Sequence, residues 1–265
     1  MTAKKQPDIS PGRLCIIKAG VFVLLSVGGH LLLRSLFYSV SDVATAVYEF
    51  FLTTFFLQVI EKGKRSFLAK GHRYLCYSRG LLWGLLLPLY PFLMDFGFKS
   101  IDISLSHAPL FDKAFFYTLC MSFFVMLLSF GFPYTIFRET YGEKIAGYVS
   151  LGLYYVAVHI FLYNSIGTAI SGKMHPIELI NILSVFLVGV LCVLMMRAYG
   201  DVRCPAVFFV ITSVIQHTLV TFFSIRHAGA VLTNGFRLMR TLPFLVSLLV
   251  IGGMIIARIK GKDER

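Results

Sequence analysis

Arg138-Glu139 and Glu143-Lys144, followed by His159 inside an apolar run, are side chains whose types and spacing could do chemistry. The set admits three readings: the active site of an intramembrane enzyme, the remains of one, or a charged turn followed by a buried histidine. A glutamate acts as a general base only if it can take a proton from water near neutral pH. Neighbouring positive charge lowers a carboxylate pKa and weakens it in that role. Arg138 and Lys144 flank both glutamates, so each is handicapped as a base. What the cluster can do depends on the elements that hold it.

Those elements are membrane spans. The 265 residues are 57% hydrophobic and 14% charged, with a mean hydropathy of +0.78, against about 25% charged in soluble domains. At about 20 apolar residues per crossing, the sequence divides into spans at 14–36, 40–60, 81–98, 114–137, 145–167, 178–197, 205–224 and 241–258. The chain therefore reads as all-α, a polytopic transmembrane helix bundle of about eight spans, and as a single integral membrane domain over 1–265. Pro88 and Pro91 in the third span predict a kinked or tilted helix. The first span has the charge pattern of a signal peptide but no small-x-small cleavage site, so it reads as a retained helix.

Charge placement sets the expected orientation. About two-thirds of the 25 lysines and arginines fall on the side that holds both termini, which makes that side cytoplasmic by the positive-inside rule. The segment 225–240 is basic on the opposite side and is the exception. The basic loop 61–79 reads as a topology determinant lying along an anionic leaflet. No binding module accompanies the +12 net charge, so nucleic acid is not an expected partner. The expected partners are the bilayer and a membrane protein or membrane-associated peptide. The five cysteines have no paired spacing and read as apolar fillers.

A central Asp, Lys or Arg in a span costs roughly 2.5–3.5 kcal/mol by insertion scales, so ionisable residues there form a shortlist. They are Lys18, His30, Arg34, Glu49, Asp95, His159 and His217. Lys18 and Arg34 can snorkel. Glu49 needs a partner, which His30 or Lys18 could supply. His159 and His217 have no local compensating charge and could share a metal, but the further ligands that zinc takes are not evident. The sequence holds no HExxH, CxxC or GxSxG, and no cofactor or metal is expected.

The stretches "IFRETYGEKIAGYVSLGLYYVAVHI" and "FLVGVLCVLMMRAYGDVRCPAVFFV" resemble the CPBP family of intramembrane proteases, with its CAAX-prenyl-protease and bacterial Abi bacteriocin-immunity types. The likeness covers roughly 130–220. Phe137-Arg138 matches the end of the family's Glu-Glu-x-x-x-Arg motif, Tyr155-x-x-x-His159 its Phe-x-x-x-His, and Gly200 with Pro205 the approach to its last motif. The glutamate pair falls on Pro133 and Tyr134, and the last His and Asn fall on Phe209 and Ser213. In the family, as the resemblance implies, the glutamates activate water while histidine and asparagine stabilise an oxyanion. With these replaced, the expectation is a non-catalytic scaffold, regulator or binding protein in a bacterial cytoplasmic membrane. The alternative is an atypical endopeptidase using Arg138, Glu139, His159 and His217. A small-solute transporter with midplane sites at Glu49 and His159 is a third class, without a repeated half-architecture to support it.

Overall fold

The computed structural model describes residues 10–37, 41–61, 73–97, 102–105, 113–162, 176–226 and 234–263. Helix α1 spans Pro11–Leu36, with the Ser10 hydroxyl accepting from the Arg13 N–H and proline in its first turn, where a missing donor costs nothing. Its buried stripe is Cys15, Ala19, Phe22, Ser26 and His30, one residue per turn. Helix α2 spans Ser41–Phe55 and widens into a π turn, Phe56–Ile60. Helix α3 spans Arg73–Gly97 across both prolines.

Helix α4, Lys113–Met126, passes through the π turn Leu127–Gly131 into α5, Phe132–Tyr141. The π turn has a cause in the sequence. Pro133 offers no N–H, and its ring crowds the carbonyl four residues back, so the helix must widen just before it. Helix α6, Glu143–Ala157, ends in a third π turn, Val158–Leu162. Helices α7, Pro176–Tyr199, α8, Arg203–Phe222, and α9, Asn234–Asp263, complete the set. Two connections are very short and turn on glycines in the left-handed region, Gly142 at φ 88° and Gly200 at φ 67°, which a Cβ would strain. Strand β1, Asp102–Leu105, pairs antiparallel with β2, Phe223–Arg226, in the register Asp102↔Arg226.

The all-α expectation holds, with this strand pair as a short addition at the end of α8. Among the described residues, five helical segments are long and apolar enough to cross a membrane: Pro11–Leu36, Ser41–Ile60, Lys113–Tyr141, Glu143–Leu162 and Phe244–Gly261. Two sequence boundaries move. Helix α3 begins at Arg73, so the end of the basic stretch 61–79 is helical rather than loop. The segment 225–240 supplies the end of β2 and the start of α9.

Lys113–Tyr141 is the hub, 67% buried where the other four crossing segments are 22–33% buried. Helices α1, α2, α6 and α8 surround it, and α3, α7 and α9 close the outer side. The outer helices expose Leu24, Phe51, Tyr148 and Leu249 at 66–74%, a surface suited to lipid rather than water. The tightest seam joins α3 to α8. A Cβ at Gly80 would lie 2.6 Å from the Cys204 carbonyl oxygen, and one at Gly84 2.9 Å from that of Phe208. Gly80-x-x-x-Gly84 is thus a small-x-x-x-small face that lets two backbones approach.

Cross-helix contacts order the bundle ends. Gly12 of α1 abuts the Tyr141 ring, Lys18 pairs with Glu61 at the end of α2, and Glu143 pairs with Arg197. Arg203 lies over Tyr77, and Arg258 over Tyr199. The first turn of α1 and the last turns of α9 therefore share one end of the bundle.

Candidate functional site

The last turn of α5 carries the charged cluster because Gly142 stops the helix there. The Arg138 guanidinium lies 5.9 Å above the Tyr134 ring, and Glu139 points outward, exposed. Glu143 opens α6 and sits 3.6 Å from Arg197 Nε, both about half exposed. Such a surface pair contributes at most about 1 kcal/mol. The arrangement is a charged turn pinned to a neighbouring helix.

His159 lies in the π turn at the other end of α6 and is 9% exposed, with its ring edge-on to Tyr155 at 4.5 Å. At 1.5 Å per residue, the path from Glu143 to His159 climbs roughly 24 Å along the helix. The structure therefore does not bring the glutamates and His159 into one centre. The His217 backbone lies in α8; its side chain, like that of Asp95 in α3, is outside the described residues. Among the described residues, no group of three or more His, Cys, Asp or Glu side chains could hold a metal.

Two of the positions aligned with the missing motif residues, Tyr134 and Phe209, are joined through a row of rings. Tyr134 stands against Phe130 (centroids 6.5 Å apart), Phe130 against Tyr154 (6.1 Å), and Tyr154 edge-on to Phe209 (5.3 Å). All four are buried, at 5% exposure or less. Such edge and tilted pairs add about 0.5–1.5 kcal/mol each beyond the area they bury. An aromatic column thus fills the space between α5, α6 and α8, with no carboxylate or imidazole among its rings.

The buried charges are elsewhere, and sequence reasoning misplaced or missed them. Lys18 does not merely snorkel: its Nζ lies 2.6 Å from Glu61 Oε1. Glu49 is fully buried, and its partner is neither His30 nor Lys18. The Ser26 hydroxyl lies 3.0 Å from Glu49 Oε1, while Oε2 has no hydrogen-bond partner among the described residues. His30 Nδ1 instead faces the Thr45 hydroxyl at 3.2 Å, with its ring between Phe124 and Phe161. Serine reaches Glu49 because α1 places Ser26 and His30 on one stripe, a turn apart, and only Ser26 stands at the right height.

Asp201 and Arg203 form the most enclosed ion pair. Asp201 Oδ1 accepts from the Arg203 backbone N–H at 2.8 Å and from Nε at 3.0 Å, and Oδ2 accepts from Nε at 2.7 Å and also from Nη2. Asp201 is fully buried and Arg203 8% exposed, the latter also stacked over Tyr77 at 5.5 Å. Its signal in the sequence is Gly200-Asp201-x-Arg203 at a helix start, where an aspartate two residues ahead can bind a free N–H. The pair welds the α7–α8 turn to α3.

Compared with protein-family models, curated proteins and solved structures, the chain gives no match.

Proposed function

We propose that this protein is an eight-span membrane protein with both termini in the cytoplasm, and a non-catalytic relative of CPBP intramembrane proteases. It serves as a scaffold, regulator or binding protein for a membrane protein or membrane-associated peptide in a bacterial cytoplasmic membrane. The observation that supports this reading most is the aromatic column Tyr134–Phe130–Tyr154–Phe209. It occupies positions where the family resemblance would put a base (Tyr134) and an oxyanion donor (Phe209); a phenol stays protonated near neutral pH and is a poor base, and a phenyl ring has no donor for an oxyanion. The remaining carboxylates of the region, Glu139 and Glu143, lie exposed at the helix ends rather than in an enclosed site.

The test is incubation of the purified protein with membrane peptides, including prenylated C-terminal peptides. No cleavage is expected from wild type, Glu139→Gln or Glu143→Gln. Robust wild-type cleavage abolished by either substitution would put an atypical endopeptidase in place of the scaffold.

One observation favours a second reading, movement of a small solute or ion. Glu49 presents a buried, unpartnered carboxyl oxygen in mid-span, and intramembrane carboxyls commonly mark transport paths. Proteoliposome flux lost in Glu49→Gln would support it; no flux in wild type would remove it.

A further inference from the structure

At the bundle end shared by the first turn of α1 and the last turns of α9, a cleft of about 220 Å³ opens between α3, α7 and α9, lined by Arg79, Trp83, Tyr199, Met254, Ile255 and Arg258. We propose that this cleft binds the phosphate of an anionic head group at the membrane surface. The inference does not depend on whether the protein is a scaffold or an enzyme.

Charge carries the first step. Two other arginines at this end of the bundle are committed, Arg197 to Glu143 and Arg203 to Asp201. Arg79 and Arg258 have no carboxylate within ion-pair distance among the described residues, yet they line one cleft. Two like charges facing one space repel unless an anion lies between them, and a guanidinium fork matches phosphate oxygens in geometry.

A second, independent observation points to the same ligand. The Trp83 indole N–H donates toward the Tyr199 oxygen, leaving the Tyr199 O–H to donate to an acceptor entering the cleft. Arg258 is held 5.0 Å above the Tyr199 ring, which fixes its approach.

Size and position narrow the source. A volume of 220 Å³ falls below the about 300–1,000 Å³ of sites for drug-sized ligands. It suits a head group rather than a whole soluble cofactor. Met254 and Ile255 supply an apolar wall for the start of an acyl chain. Arg79 and Arg258 stand at the ends of their spans, and tryptophan and tyrosine concentrate at that depth. Basic pockets between helices on the cytoplasmic side are a known form of lipid recognition.

Trp83 is the only tryptophan in the chain, so its fluorescence reports on the cleft alone. The full-length protein in phosphatidylcholine nanodiscs is compared with the same protein at increasing phosphatidylglycerol content. Inorganic phosphate is titrated separately in pure phosphatidylcholine. A saturable change in Trp83 emission with phosphatidylglycerol is expected, weakened roughly ten- to thirtyfold in Arg79→Gln/Arg258→Gln. It should remain unchanged in Lys144→Gln, an exposed basic residue outside the cleft. Should the double variant fail to fold, Arg79→Lys and Arg258→Lys retain charge but lose the fork and are expected to weaken the response singly. A response to inorganic phosphate alone would support the site and assign it to a soluble phosphate. No response to either anion, or a response that both the Gln and Lys variants share in full, overturns the proposal.

Discussion

A buried ion pair is a weak source of net stability but an expensive thing to break. Removing one partner strands the other charge and costs about 3–5 kcal/mol, whereas replacing both by apolar groups can be neutral. Asp201→Asn or Arg203→Met should therefore lower the thermal midpoint in detergent sharply, and the double variant should recover much of the loss. If the double variant is as unstable as the sum of the singles, the pair is not the reason. The same neighbourhood controls a thiol. Cys76 is 2% exposed, and burial, with the Asp201 carboxylate adding to it, pushes its pKa up from the ordinary thiol range. Only the thiolate attacks a maleimide, so Cys76 should stay unlabelled at pH 7 in the folded protein and react after unfolding. Labelling at the rate of an exposed thiol would contradict its placement. His159 was legible as interior from its apolar surroundings, and it is buried. Its separation from Glu139 was not read from the sequence, which grouped the two in one candidate site; the length of α6 sets them apart. The Glu49–Ser26 bond was not legible either, because the choice between Ser26 and His30 depends on the relative height of two helices, which no single sequence states.

Helix seams depend on what the backbone lets through. At Gly80 a new Cβ would press on the Cys204 carbonyl, and carbonyls on a packed helix cannot give way. Gly80→Leu and Gly84→Leu should separate α3 from α8 and greatly reduce the yield of folded protein. Gly20→Leu meets nothing within 4 Å and should be well tolerated, with the glycine-to-helix-former gain of up to about 1 kcal/mol. Comparable losses at all three positions would mean that glycine is needed for something other than packing. Positions and lengths of the helices were readable because about 20 apolar residues in a row have few alternatives in a bilayer. The start of α3 was not readable: its first turns, Arg73–Arg79, are polar enough to pass for a loop, yet they are helical, with Cys76 buried and the half-exposed Tyr77 ring under the Arg203 guanidinium. The π turn before Pro133 was implicit in the proline, whose effect falls one turn upstream.

For the molecule as a whole, the first turn of α1 and the last turns of α9 share one end of the bundle, and the charge count predicts the same side for the two termini. Single cysteines placed near each terminus should label from the same side of sealed vesicles, the cytoplasmic one, with a membrane-impermeant maleimide. Labelling from opposite sides would refute the eight-span arrangement. The lysine and arginine bias is the basis of the expected orientation. The docking order of the helices was not legible in the sequence, because it rests on pairings across long stretches of chain, α3 with α8 and α9 with α3.

The hub helix α4–α5 also imposes a schedule on biosynthesis. Its neighbours α1 and α2 precede it on the ribosome, but α8, which closes its remaining side, emerges roughly a hundred residues later. At about 5–20 residues per second, the interval is on the order of 5–20 s. During that time the face of α4 destined for α8 must be sheltered by lipid or by the insertion machinery. A ribosome-stalled chain ending before Arg203 would present that open face to insertases and membrane proteases alike, and a full-length chain would not.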